Sequence, residues 1–149
     1  MAIRQRRIWS AQERVRALPG FAGLEHRWCD IWGSEDLDRR LADLGGTVST
    51  QHWPGAEPLV EALRAAAAQV PAGTGFALLS DEPEALWVEA SLSDLLQATA
   101  TVLGVLQQGI VILSEDERML LLEVTRDPEG RVSHQIALRG EWPAGALRG

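Results

Sequence analysis

The sequence contains no Lys, no Asn and no Tyr, and only one Cys. Each absence excludes something. A single Cys makes no internal disulfide and no Cys-rich zinc site. All 14 basic residues are Arg, so every side-chain cation is a guanidinium that stays charged and can form bidentate pairs with carboxylates. Arg without Lys, with abundant Ala, Gly, Leu and Val, reads as the product of a GC-rich coding sequence. There is no long hydrophobic run: the most apolar stretch, Leu95 to Leu106, contains Gln97, Thr99 and Thr101 and is too short to span a bilayer. No apolar segment follows the basic start Arg4-Gln5-Arg6-Arg7, so no targeting segment is expected, and the expected compartment is a bacterial cytoplasm. Phosphate loop, dinucleotide fingerprint, nucleophile elbow and His-Glu-x-x-His are all missing.

What is present is acid. The net charge is −7 over 149 residues, which argues against bulk attraction to nucleic acid or anionic membrane. The charge is unevenly spread. Residues 1–40 hold eight Arg against six acids, residues 41–130 three Arg against fourteen acids, and residues 131–149 three Arg against one acid. With 46% hydrophobic residues the chain can bury a core, and its length suits one domain, 1–149.

The first seventy residues read as mainly helical. Ser10-Ala11-Gln12-Glu13 has the form of a capping box for a helix that ends before Pro19-Gly20. Leu24, Trp28, Ile31 and Trp32 suit one face of a second helix, and Ser34 caps a third over 35–44. Glu57 to Val70 is a fourth, with Leu59, Leu63, Ala66 and Val70 inward. Residues 75–139 read as sheet-forming. Strands are expected at 75–80, 85–90, 110–113, 119–125 and 132–139, with a helix over 94–108 capped by Ser91 or Ser93. The expectation is an α+β fold: N-terminal helices on a mixed, mostly antiparallel sheet of about five strands, in the order β-β-α-β-β-β. The crossover helix makes its two flanking strands parallel neighbours.

Candidate chemistry is sparse. His26-x-x-Cys29 with His52 offers three soft ligands, but no fourth is placed, so a buried Cys and two ordinary His account for it better than zinc. Cys29 with a His as nucleophile and base lacks any accompanying oxyanion element. His134 shares a strand face with Val132, Ile136 and Leu138 and suits a partly buried, hydrogen-bonded residue. The Arg cluster Arg4, Arg6, Arg7, Arg14 and Arg16 is diluted by acids in the same third. No catalytic residue, cofactor or metal is assigned.

Two acidic turns remain: Asp81-Glu82-Pro83-Glu84, near Trp87, and Glu115-Asp116-Glu117. Acidic turns are commonly only solvated. As a functional reading, they steer a basic protein, with Trp as anchor. Asp81, Glu82, Glu84 and Trp87, or Glu115, Asp116 and Glu117, are then the contact residues, at opposite ends of the sheet. The expected function is a non-catalytic acidic binding protein, of the general character of an immunity protein or antitoxin that occludes a toxin. The alternatives are a secretion chaperone or adaptor, which needs an exposed edge strand such as 132–139, and a small enzyme using Cys29 with His26, His52 or His134. The expected partner is a protein with a basic surface, not nucleic acid or membrane, and a homodimer is compatible with the Trp content.

Overall fold

A computed structural model describes residues 3–29, 49–53, 55–81, 86–143 and 147. The fold is α+β. Among the described residues, three helices, α1 (Ile3–Ala17), α2 (Ala56–Gln69) and α3 (Leu92–Val102), accompany seven strands: β1 (Arg27–Cys29), β2 (Ser49–Trp53), β3 (Thr74–Leu79), β4 (Trp87–Ser91), β5 (Gly109–Ser114), β6 (Met119–Arg126) and β7 (Val132–Arg139).

The helix α1 runs through Ser10, which is therefore interior and not a cap. No Gly or Pro interrupts Ile3 to Ala17, so nothing forces a start at Ser10. The helix stops before Pro19, and Gly20 takes φ +85° while lying so close to α3 that an added Cβ would sit 2.8 Å from the Ala98 carbonyl oxygen. The helix expected over 24–32 is corrected: Arg27–Cys29 is a strand paired with β4. Leu24 and Trp28 are spaced for a helix, but ladder bonding to β4 and burial of Trp28 override that local pattern. Ile31, Trp32, Ser34 and the helix expected over 35–44 lie outside the described residues.

The order α2–β3–β4–α3 is local in origin. In α2, Leu59, Ala62, Leu63, Ala66 and Ala67 are buried at helical spacing. Val70 leaves the helix as its C-cap and is only partly buried. Ser91 accepts the Asp94 N–H and starts α3 at Leu92. The expected continuation of α3 to Gln108 ends early, in a 3₁₀ turn over Leu103–Val105. Ser93 Oγ donates to the Ala67 carbonyl at 2.7 Å and ties the two helices together.

The sheet has seven strands, in the order β1-β4-β3-β5-β6-β7-β2. Every ladder is antiparallel, so the sheet is not mixed. The strands β4 and β5 joined across α3 do run in the same direction, but β3 lies between them and bonds to both. Pairing with β4 leaves the other side of β3 open, and β5 fills it. The two extra strands, β1 and β2, occupy the opposite edges of the sheet.

Period-two alternation gives the sheet two apolar faces. Ala77, Leu79, Val88, Ala90, Ile110, Ile112, Leu120, Leu122, Ile136 and Leu138 face α2 and α3 in one buried cluster. Trp87, Val111, Leu113 and Met119 form a second buried cluster with Cys29, Phe76, Leu78 and Leu121. β5 is consequently buried at all six positions. Among the described residues, no helix is long and apolar enough to cross a membrane.

Candidate functional site

Asp81 and the turn Glu115 to Glu117 lie at opposite ends of β3. Ser80 N–H bonds to Gly109 at one end of β3, and Glu115 N–H bonds to Thr74 at the other. They do different work.

At the first end, Asp81 is occupied. Its Oδ1 accepts the backbone N–H groups of Gln108 at 2.7 Å and Gly109 at 3.3 Å, and its Oδ2 accepts that of Gln107 at 2.7 Å. These amides follow the 3₁₀ turn and enter β5. Glu82 and Glu84 lie outside the described residues. Trp87 is corrected as a surface anchor: it is 0% exposed, packed on the second face of the sheet. An indole with no accessible surface offers a partner nothing to contact.

At the second end, Asp116 accepts from Ser114 Oγ and Arg118 Nη1, and Arg118 Nε donates to the Glu141 carbonyl. Ser114 Oγ also accepts the Arg118 N–H at 2.9 Å. Asp116 thus braces the β5–β6 turn from within, with Glu117 at φ +66°. The neighbouring Glu115 and Glu117 side chains are exposed.

Glu115 also lines a cleft of about 500 Å³ with Glu25, His26, Arg27, Thr74, Glu89 and Ala90. The pairing of β1 with β4 builds it, because Arg27 stands opposite Glu89 in register. Arg27 donates to Glu89 through Nε at 2.6 Å, and its Nη2 lies 2.5 Å from the same oxygen. That pair neutralises Glu89 in part, while Glu25 and Glu115 keep the rim acidic. His26 donates from Nδ1 to the Leu24 carbonyl at 2.6 Å and stands edge-on to Trp28, with ring centroids 5.3 Å apart. Arg16 of α1 lies over the Trp28 ring at 5.6 Å. A smaller depression of about 90 Å³ adjoins through the shared residues Thr74 and Glu115 and also involves Asp116 and Arg118.

Sequence reasoning found Glu115 but missed Glu25, His26, Arg27 and Glu89 as its neighbours. Arg27 and Glu89 are 62 positions apart, and only strand register brings them together. Complementary charges on two short β-prone segments are the one sequence signal that could have suggested it.

The other candidates are dispersed. His26 and Cys29 belong to the β1 edge, and His52 to β2 at the far edge, six strand spacings or roughly 29 Å away. Cys29 Sγ points to the Trp87 carbonyl at 3.7 Å on the second face. Among the described residues, no three His, Cys, Asp or Glu side chains are grouped to hold a metal ion. His134 is 4% exposed, and its Nδ1 has no hydrogen-bond partner among the described residues, contrary to the expected hydrogen-bonded, half-buried residue. Nor is β7 an exposed edge: β6 and β2 flank it on either side. The edge that a strand-adding chaperone would use at 132–139 is therefore covered. Comparison with protein-family models, with curated proteins and with solved structures finds no match for the chain.

Proposed function

We propose that this protein is a non-catalytic binding module that occludes a basic surface of another protein, as a bacterial immunity protein or antitoxin does in the cytoplasm. The observation that carries this reading is the acid-rimmed cleft at the Glu115 end of the sheet, whose lining includes Glu25, Glu89 and Glu115, with Arg27 paired to Glu89. Glu117, two residues on in the same turn, is exposed and adds to the negative charge at this end of the sheet. Three carboxylates against one guanidinium leave the lining net negative, and a net negative surface raises the encounter rate with a positively charged partner. The contact residues are Glu25, Glu115 and Glu117, with Asp116 holding their turn in shape.

The reading is tested by capturing the partner from the source organism and measuring association by stopped flow. The captured protein is expected to present a basic surface. Its association rate falls about tenfold or more between 50 and 300 mM salt, and by a similar factor with Glu115→Arg plus Glu117→Arg. A partner whose association ignores both salt and charge reversal overturns the reading, as does the capture of no protein.

A further inference from the structure

The β2–β7 edge carries a polar pair that the proposed function does not use. Trp53 and His134 stand directly opposite each other in the ladder, on the face that packs against the helices. Directly opposed side chains on one face have Cβ atoms roughly 5 Å apart. Both residues are buried, Trp53 at 6% and His134 at 4% exposure. Trp53 Nε1 and His134 Nδ1 both lack a hydrogen-bond partner among the described residues. Buried polar groups without partners weaken the contact they sit in. They sit here on a five-residue strand that pairs with β7 alone among the described strands.

Among the described residues, the strands beside His134 and the inward face of α2 supply no anion to it. On this face β2 contributes Ser49, Gln51 and Trp53, none of them charged. Opposite His134 on β6 is Val124, and the next residue on the same face is Arg126, whose Nη2 donates to the Gln107 side chain at 2.8 Å. The inward face of α2 is Leu59, Ala62, Leu63, Ala66 and Ala67, while its charged Glu57, Glu61 and Arg64 are exposed. An imidazolium at this point would be desolvated, unpaired and on the same face as a guanidinium.

We propose that Trp53 and His134 form an acid-labile latch, in which protonation of His134 releases the edge strand β2 and uncovers the outer edge of β7. The released edge carries the backbone groups of 134–138 that β2 otherwise occupies, and these can then accept an extended chain. Burial holds the imidazole below its ordinary value of 6.5, so the closed form takes up the proton less readily than the open one. The sign follows: the latch is fully closed above pH 6.5 and loosens as the pH falls toward the depressed value. This device is independent of the acidic cleft.

The test is amide hydrogen exchange at pH 7.5 and pH 5.0, expressed as protection factors, above the range where most carboxylates titrate. Protection of the β2–β7 ladder is expected to fall by up to about tenfold per pH unit below 6.5, while the β3–β5 ladder is unchanged. His134→Phe abolishes the loss. His52→Gln preserves it, because His52 is exposed on the opposite face of β2. If His134→Phe does not fold, the wild-type imidazole titration followed by NMR decides. A midpoint at or above 6.5 overturns the latch. It is equally overturned if the β2–β7 ladder keeps its protection, if both ladders lose it together, or if the loss survives in His134→Phe.

Discussion

Asp81 accepts the backbone N–H of Gln108 at 2.7 Å across 27 positions of sequence. Through that bond and those from Gln107 and Gly109, one carboxylate anchors the entry to β5, the strand buried on both faces. A charged acceptor serving backbone donors is the stronger class of hydrogen bond. Asp81→Ala is therefore expected to destabilise the fold by about 1–3 kcal/mol. Urea denaturation measures it, and a stability equal to wild type would show that the three amides are satisfied without Asp81.

Gly109 begins β5 at φ +152°, where a Cβ would lie 1.9 Å from the Leu122 carbonyl oxygen. No side-chain rotation relieves a contact with backbone. Gly109→Ala is expected to cost more than about 2 kcal/mol and to lower protection in the β5–β6 ladder before other parts of the sheet. Thermal unfolding with hydrogen exchange checks both. Gly130 also has a positive φ, but nothing lies within 4 Å of its Cβ position, so Gly130→Ala should cost less.

Asp127 closes the β6–β7 turn. It accepts the backbone N–H groups of Glu129 at 2.9 Å and Arg131 at 2.8 Å, and Arg131 Nε at 2.7 Å. The Arg131 backbone bond is the largest cause that holds its carboxyl below the ordinary 3.8. A depressed acid contributes stability above 3.8, and that contribution is lost as the pH falls through the lowered value. Asp127→Asn should therefore lower stability above about pH 4, leave it nearly unchanged at the acid end, and so flatten the acid limb of the stability curve. Denaturation midpoints across pH 2–7 provide the comparison.

The acidic turns show where local reading stops. The run Glu115 to Glu117 was legible as a turn, because turn composition is a local property; of the segment Asp81 to Glu84 only Asp81 lies among the described residues. Which carboxylate is free was not legible. Asp81 and Asp116 are tied to backbone or to Ser114 and Arg118, whereas Glu115 faces solvent beside the cleft. The same limit applies to Trp87. It alternates with Val88, which faces the helices, and is buried on the opposite face by β-sheet neighbours remote in sequence, although Glu89 and Ser91 on that same face are not buried; one aromatic residue does not reveal such cover.

Helical spacing in 56–69 and alternation through 132–139 determined α2 and β7 from the chain alone, and the serines at 91 and 93 marked the start of α3 to within two residues. Each rests on contacts or periodicities within a few residues. β1 and β2 were decided elsewhere. Arg27–Cys29 is a strand because β4 bonds to it, and Ser49–Trp53 because β7 does, although neither segment carries a hydrophobic run of its own. The cleft, the covered edge of β7 and the Trp53–His134 pair all follow from those two pairings. They come from residues far apart in sequence, whose register is set by burial of the whole sheet.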